Sequence, residues 1–480
     1  MRFTRVSQSS KNSHRAPRRA KDPLKVVIGL GVFGVVLLGS GYFVTAAIAN
    51  RVTPIASGAI GQPTSVAVLS ARRTPNTLSN DVRLGGLRRS LASLQTQIPS
   101  NACLTVEWLG ETLANVRGDT SLTPASAAKV LTAAVALEVL GPNHTFKTDV
   151  LATPTDTTGV VNDLYFVGGG DPLLVRNEYV TNEKYKTIFG TSLETLADQI
   201  ASTGIRQING AVVGVDSRYD GKRFVDIWPS EFHFTESGPL GALLVNDGVV
   251  VGNPVKPDDP AVAAATELRT LLIARGILVV GETRHEPTVP SNATAVTSIT
   301  SAALPQILNE MLVNSDNNTA EIILKEIGFK EKKMGTTAAG LEVAQKYFAT
   351  KKYSPMPQLF DGSGLSNSNK SSCKTFMAVL NAQASELAPL LAVAGKSGTL
   401  VSAFTDSPME GRLLGKTGTL SGVKSLVGYL PIEGGQPVVF ALMMNTSGID
   451  NKTAYRPIWD ALGVALNKAK STPRADQLAP

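Results

Sequence analysis

The chain has 480 residues, 43% of them hydrophobic and 18% charged, which is too long for one compact core and favours two or three domains. Its formal net charge of +7 would suit a nucleic-acid-binding surface if the cations were spread along the chain. Instead, residues 1–25 hold eight cations and one acid, and the rest of the chain holds 38 basic and 38 acidic side chains. The charge therefore indicates membrane topology, and no nucleic-acid partner is expected.

Residues 26–49 form an uncharged, largely apolar run of 24 residues directly after the basic segment. A helix of that length, at about 1.5 Å per residue, crosses a hydrocarbon core of about 30 Å. Because flanking cations stay inside, residues 1–25 are predicted to be a cytoplasmic tail and residues 26–49 a single membrane anchor, with the residues after the anchor outside the cytoplasm. The alternative is secretion after cleavage near Ala49, since Ala47-Ile48-Ala49 resembles a signal-peptidase site, although signal peptides usually have shorter apolar segments.

Residues 50–83 are rich in proline and glycine and lack periodicity, so they are predicted to be a linker. The leucines that recur from Leu84 to Ile98 are typical of an amphipathic helix, which marks the start of a globular region. A strand around residues 103–109, a turn at Gly110 with a second short strand, and an apolar helix over residues 130–140 are predicted to follow.

Residues 146–300 contain short β-like runs and helical interludes, which predicts an inserted α+β accessory region. Its strands are expected at residues 160–168, 211–215, 249–251 and 277–281. Three antiparallel strands are predicted further on, at Leu414 to Leu420, Val423 to Leu430 and Pro437 to Asn445. Segments 84–145 and 301–468 are thus expected to form one discontinuous α+β domain, followed by a flexible tail at residues 469–480.

Three short motifs carry the chemistry, and they stand in the order Ser126-Ala127-Ala128-Lys129, Ser315-Asp316-Asn317 and Lys416-Thr417-Gly418. The first opens the apolar helix, which puts its serine and lysine on one face. An S-x-x-K match alone is weak, because residues 371–374 and 421–424 match as well. The ordered set is typical of penicillin-binding proteins and class A β-lactamases. Residues 396–400 echo the third motif, but only residues 416–418 are followed by strand-like runs.

A serine hydroxyl is a poor nucleophile without an adjacent base, and a lysine serves as that base only if its pKa falls from about 10.4 towards neutrality. Ser126 is the predicted nucleophile, Lys129 the general base and Ser315 the hydroxyl that relays a proton to the leaving amine. Desolvation and a neighbouring cation, Lys416, are expected to lower the pKa of Lys129. Backbone N–H groups of Ser126 and Thr419 are expected to form the oxyanion hole.

The substrate-binding residues are predicted from the second and third motifs. Asn317 is expected to bind a substrate amide, while Lys416 and Thr417 hold a terminal carboxylate. Gly418 and Thr419, which follow in the same strand, are also predicted to bind substrate.

Other residue types indicate no cofactor. The four histidines are scattered without ligand-like spacing, which argues against a zinc site or a Ser-His triad. The two cysteines, Cys103 and Cys373, would be free to pair outside the cytoplasm, but the sequence leaves a disulfide and two buried thiols equally open.

With these motifs, the chain resembles the class C penicillin-binding proteins of the penicillin-binding protein 4 type, over about residues 84–468. Further matching stretches are residues 124–129, 168–172, 361–366 and 415–422. The resemblance implies a β-lactamase-like transpeptidase domain, with an antiparallel sheet flanked by helices. In that family a large insertion lies between the first and second motifs, and here 185 residues separate Lys129 from Ser315. The glycines of residues 168–172 and 361–366 are interpreted mainly as turn formers rather than substrate contacts.

The resemblance implies a serine D-alanyl-D-alanine carboxypeptidase or DD-endopeptidase. Its partners would be peptidoglycan stem peptides and cross-bridges, with β-lactams as covalent inhibitors and no metal or organic cofactor. Two alternatives share the fold: a non-hydrolytic sensor of β-lactams or muropeptides, and an inactive scaffold that binds the cell wall. The short N-terminal tail argues against the sensor, since it has no room for a signalling domain.

Overall fold

The structure is a computed structural model that describes residues 75–183, 186–253 and 255–470. The predicted cytoplasmic tail, the predicted anchor at residues 26–49 and residues 471–480 lie outside the described residues. Within the described ranges, no helix has both the length and the apolar composition that crossing a membrane requires.

The described residues form the α+β fold that the sequence predicts, with runs of strands and runs of helices. The helices are α1 (Pro75–Gln95), α2 (Ala128–Val139), α3 (Asn177–Asn182), α4 (Leu193–Ser202), α5 (Pro260–Ala274), α6 (Leu304–Asn314), α7 (Asn317–Lys332), α8 (Thr337–Thr350), α9 (Cys373–Ala382), α10 (Ala384–Leu387) and α11 (Lys452–Leu466). The strands are β1 (Ala102–Trp108), β2 (Glu111–Val116), β3 (Lys147–Pro154), β4 (Val160–Val167), β5 (Leu174–Val175), β6 (Thr191–Ser192), β7 (Gln207–Ile208), β8 (Val212–Val215), β9 (Leu278–Val279), β10 (Arg284–His285), β11 (Thr294–Thr300), β12 (Ala392–Val393), β13 (Leu414–Leu420), β14 (Val423–Leu430) and β15 (Val438–Asn445).

A six-stranded antiparallel sheet, in the order β12-β13-β14-β15-β1-β2, organises the region that carries the motifs. Its side chains alternate between two cores, as the period of two in a strand requires. Val427 packs on one face with residues of α2, α6, α7, α8 and α9. Its neighbour Leu426 packs on the other face with residues of α1 and α11. The result is a three-layer arrangement with a helical layer on each side of the sheet.

Residues 147–300 build a second, mixed sheet of seven strands, in which β10-β8-β4-β3-β11 are neighbours, β7 pairs with β4 and β9 with β7. Helices α4 and α5 pack on this sheet through a core that includes Leu196, Leu268 and Phe166. Residues 249–251, which were expected to form a strand, lie in a turn next to a short 3-10 segment, so that prediction is wrong.

The strands of the C-terminal hairpin confirm their prediction, and β13 and β14 have the expected bounds. Helix α1 contains the four leucines of the predicted stripe, Ile98 follows the end of the helix, and all five side chains are buried. The helix begins at Pro75, however, so the predicted linker at residues 50–83 is too long. The predicted tail also begins too early, because a 3-10 turn covers Asn467–Lys470 and Ala469 is buried.

The two cysteines form a disulfide between β1 and the first residue of α9, with 6.0 Å between their Cα atoms. It joins positions 270 residues apart in the sequence. The question that the sequence leaves open is thus answered in favour of pairing.

Candidate active site

Ser126 lies in a 3-10 turn, Ala125–Ala127, that leads directly into α2. The turn is held against two other segments by glycines that leave no room for a side chain. A Cβ at Gly418 would stand 2.4 Å from the Pro124 carbonyl oxygen, and one at Gly364 would stand 2.1 Å from the Ala125 carbonyl oxygen. Contacts this close require glycine, so β13 and the loop at residues 361–366 fix the position of the serine.

Lys129 is completely buried, and its Nζ has three partners. It lies 3.1 Å from Ser126 Oγ, 2.6 Å from Asn317 Oδ1 and 2.7 Å from the Ser363 carbonyl oxygen. A neutral amine has two N–H donors and one lone pair. The amide and carbonyl oxygens can take the two donors, which leaves the lone pair to accept the proton of the serine hydroxyl.

Burial lowers the pKa of Lys129 from 10.5 to about 8. The carboxylates of Asp361, Asp316, Glu321 and Glu236 act in the opposite direction. The lowered pKa that the sequence predicts is present, but desolvation is its first cause. The charged groups that act on this amine are carboxylates rather than the expected cation, Lys416.

Ser315 and Asn317 lie at a sharp junction between α6 and α7. Ser315 is left-handed, with φ of 64°, and ends α6, and the side chain of Asp316 caps the start of α7. The junction turns Ser315 towards Lys416, whose Nζ donates to its Oγ at 2.8 Å. Asn317 faces Lys129 and also donates from Nδ2 to the Glu236 carbonyl oxygen at 2.7 Å. The junction therefore links the two buried lysines.

Lys416 is fully buried on β13 and donates a second hydrogen bond to the Thr417 carbonyl oxygen at 2.9 Å. Burial, followed by repulsion from Lys129 and Lys424, holds the pKa of Lys416 well below its usual range. Thr417 and Thr419 alternate with Lys416 and Gly418 along the strand, and Thr419 is exposed.

The rival motif at residues 396–400 lies beside the site without replacing Lys416. Lys396 forms a surface ion pair with Glu410 at 2.6 Å. Thr399, however, accepts a hydrogen bond from Thr417 Oγ1 at 2.9 Å. The K-T-G-like segment at residues 396–400 thus contributes Thr399 to the wall of the site.

The other two S-x-x-K matches differ from the first in their surroundings. Lys374 pairs with Asp119 at 2.9 Å, and both side chains are more than half exposed. Lys424 is largely buried on β14 and donates to Thr419 Oγ1 at 2.8 Å. Neither lysine contacts a serine of its own motif among the hydrogen bonds of the described residues.

The glycines of residues 361–366 predict a turn, but the loop that they form also helps to position Lys129. Buried Asp361 accepts hydrogen bonds from the backbone of Gly364 and Ser366 and from Trp228 Nε1. Buried Glu321 accepts from the backbone N–H of Ser363, and burial raises the pKa of Glu321 to about 7. These two carboxylates hold the Ser363 carbonyl against Lys129, and sequence reasoning missed Glu321. The only signal was an acidic residue inside an otherwise apolar stretch of α7.

Residues 168–172 serve as a structural turn. A Cβ at Gly169 would stand 1.9 Å from the Lys147 carbonyl oxygen, and Gly170 has φ of 91°. Asp171 is buried and accepts from Thr191 Oγ1 at 2.6 Å.

A cavity of about 420 Å³ opens next to the junction of α6 and α7. Residues 315–318 form one side, and residues of the 146–300 region, including Tyr179, Glu236 and Asp247, form another. Among the described residues, no cluster of three or more His, Cys, Asp or Glu side chains is arranged to bind a metal ion.

Comparison with known proteins places this geometry in a family. The D-Ala-D-Ala carboxypeptidase 3 (S13) family matches residues 89–259 and 251–463. The D-alanyl-D-alanine carboxypeptidase of Actinomadura sp. (strain R39) is 28% identical over 442 residues, which is 74% of this chain and 79% of that protein.

Solved structures share the fold. Penicillin-binding protein 4 of Haemophilus influenzae superposes with a TM-score of 0.64 at 21% identity, over 78% of this chain and 98% of its own. A penicillin G-acylated predatory endopeptidase of Bdellovibrio bacteriovorus superposes with a TM-score of 0.52 at 20% identity, over 78% of this chain and 93% of its own. The resemblance to penicillin-binding protein 4 is confirmed, and the chain belongs to the D-Ala-D-Ala carboxypeptidase 3 (S13) family.

Proposed function

We propose that Ser126 forms the acyl-enzyme through which this serine DD-peptidase cuts peptidoglycan stem peptides. The observation that carries the proposal is the environment of Lys129, a buried amine whose two other acceptors leave its lone pair for the serine hydroxyl. In the first step Lys129 accepts the Ser126 proton as Oγ attacks the carbonyl of the penultimate D-alanine. The acyl bond forms as the terminal residue leaves as an amine.

Ser315 delivers the proton that the leaving amine needs. Its oxygen accepts from Lys416, so the hydroxyl hydrogen is free to point into the site. Proton return from Lys129 through Ser315 to the amine closes the acylation step, and water then hydrolyses the ester with Lys129 again as base. Backbone N–H groups of Ser126 and Thr419 stabilise the oxyanion in both steps.

Substrate binding falls to the junction and to β13. Asn317 is held between Lys129 and the Glu236 carbonyl, where its amide can position a substrate peptide bond. The terminal carboxylate lies beside β13, the strand that contains Lys416, Thr417, Gly418 and Thr419. The cavity next to Ser315 offers space for the rest of the stem peptide, and residues of the 146–300 region form its other side.

The experiment is to incubate the purified protein with a fluorescent penicillin and, separately, with a muropeptide ending in D-Ala-D-Ala. Covalent labelling and release of D-alanine, both abolished in Ser126→Ala, are the expected result. Labelling without turnover would favour the non-hydrolytic sensor. A folded wild-type protein that takes no label would refute the role of Ser126 and would favour an inactive scaffold that binds the cell wall.

We propose that residues 26–49 anchor the protein with its N-terminus in the cytoplasm, which rests on the length of the uncharged run and the cations before it. Membrane fractionation and the mass of the mature N-terminus test this. A product that begins just after Ala49 would show a secreted protein instead.

A further inference from the structure

Lys424 is a buried cation that the mechanism does not use. It lies on β14 with 8% of its surface exposed. Its Nζ donates to Thr419 Oγ1 at 2.8 Å. The same ammonium lies over the ring of Tyr455 at 4.1 Å and that of Trp459 at 5.1 Å, both on α11. Burying a lysine is costly unless its charge is used, so its place beside the K-T-G strand needs an explanation.

The aromatic rings fix the direction in which this lysine points. A cation over the faces of two rings is attracted to both, and its stem packs on them. Lys424 and Thr419 are also direct partners in the β13–β14 register. Opposite residues in antiparallel strands project to the same face of the sheet, so the ammonium reaches the threonine hydroxyl without strain.

The hydrogen bond sets which way the Thr419 hydroxyl points. A hydroxyl has one donor hydrogen and two acceptor positions. An ammonium can only donate, so it occupies an acceptor position of Thr419 and leaves the O–H hydrogen for another group. Thr419 is exposed on the strand that carries Lys416 and Thr417, beside the space proposed for the substrate carboxylate.

We propose that Lys424 is a positioning residue that makes the enzyme select substrates with a free terminal carboxylate, acting through the hydroxyl of Thr419. The proposal rests on the function proposed above. The ammonium turns Thr419 into a donor towards the carboxylate, and its positive charge strengthens that hydrogen bond. A substrate whose terminus is an uncharged amide gains nothing from this charge.

Two charged groups act on Lys424 from the elements packed against it, Arg456 on α11 and Asp450 just before α11. Lys416 on β13 projects to the other face of the sheet, although repulsion from Lys424 helps to lower the pKa of Lys416. Burial, followed by repulsion from Arg456, lowers the pKa of Lys424 to about 8, while Asp450 acts in the opposite direction. Lys424 therefore loses its charge as pH rises through about 8, and the preference for a carboxylate falls in the same window.

The test compares two thioester substrates that differ only in the leaving group, which ends in a carboxylate in one and in a primary amide in the other. A thioester is reactive enough for both to acylate the protein at a measurable rate. In Lys424→Met, whose side chain still covers Tyr455 and Trp459, kcat/KM for the carboxylate substrate is expected to fall about tenfold through KM, as for a lost charge-assisted hydrogen bond. The amide substrate is expected to change less than twofold.

Two further variants separate positioning from folding. Lys424→Arg keeps a cation over the rings and is expected to restore the preference for the carboxylate. Lys374→Met removes the exposed lysine of another S-x-x-K match and is the matched control, with no expected change. In a Thr419→Val background, Lys424→Met is expected to add little, because the hydroxyl through which it acts is gone.

The outcomes are distinct. Equal losses for carboxylate and amide, or additive losses in the Thr419→Val background, would overturn the proposal. If Lys424→Met does not fold, two other results test the proposal. Thr419→Val must itself lose the preference for the carboxylate. The wild-type KM for the carboxylate substrate must also rise above about pH 8, while the KM for the amide substrate stays flat. Failure of the wild type to acylate at all would instead refute the proposed function.

Discussion

The pH dependence of acylation tests the proposed role of Lys129 most directly, because only the neutral amine can accept the Ser126 proton. Burial lowers its pKa to about 8. At pH 7 a lysine with that pKa is neutral in about a tenth of the molecules, whereas an ordinary lysine is neutral in about 0.03%. Burial thus increases the population of the reactive form by roughly 300-fold.

The rate constant for acylation at saturating fluorescent penicillin is the quantity to measure, from pH 5.5 to pH 9.5. Saturation separates the chemical step from binding of the carboxylate. The rate is expected to fall about tenfold per pH unit below pH 7 and to level off above about pH 9. Lys129→Arg, which stays charged throughout, is expected to show no acylation at any of these pH values although it unfolds cooperatively.

A second variant shifts the profile in a known direction. The Glu321 carboxylate, when charged, raises the pKa of Lys129, so Glu321→Gln is expected to move the midpoint below pH 8. The glutamine oxygen can still accept from the backbone N–H of Ser363. A flat wild-type profile between pH 6 and 9, or a midpoint that moves upward in Glu321→Gln, would refute Lys129 as the base.

Two other predictions concern the scaffold. Removing the disulfide by Cys103→Ser with Cys373→Ser is expected to lower the free energy of unfolding by about 2–4 kcal/mol, because the crosslink closes a long loop, and urea denaturation with an unchanged midpoint would contradict this. Gly364→Ala places a Cβ 2.1 Å from the Ala125 carbonyl oxygen and is expected to slow acylation at least about tenfold. Its control is Gly110→Ala, which has φ of 79° and open space around the Cβ, and which is expected to lose about 1–2 kcal/mol of stability while acylating normally.

The sequence predicts those parts of the fold that depend on local patterns. Strands β13 and β14 are recognisable because two β-like runs of seven and eight residues flank the turn at Ser421-Gly422. The helix after Ser126 is recognisable from its apolar spacing. Residues 249–251 are three valines in a row, yet they form no strand, since Gly248 and Gly252 on either side have positive φ and end any strand.

The site is predictable as a set of motifs but not as an electrostatic arrangement. Short motifs fix which residues react, because Ser126 and Lys129 are one helical turn apart. The carboxylates that act on the pKa of Lys129 belong to Glu236, Asp316, Glu321 and Asp361, and each is more than 100 residues away from it in the sequence. No local pattern shows that these carboxylates, rather than a cation, surround the amine.

Three hydroxyl–lysine pairs lie close together: Ser126 with Lys129, Ser315 with Lys416, and Thr419 with Lys424. The surroundings of each pair give its hydroxyl and its lysine a different role. Carboxylates near Lys129 limit the effect of burial, so its pKa remains near neutrality, where a base is most useful. At Lys416, repulsion from Lys129 and Lys424 adds to burial, so the empty site holds this proton weakly. An arriving carboxylate stabilises the charged form, and binding should therefore take up a proton at Lys416. The charge that retains the substrate is then strongest when the substrate is present, and Lys129 remains free to act as a base.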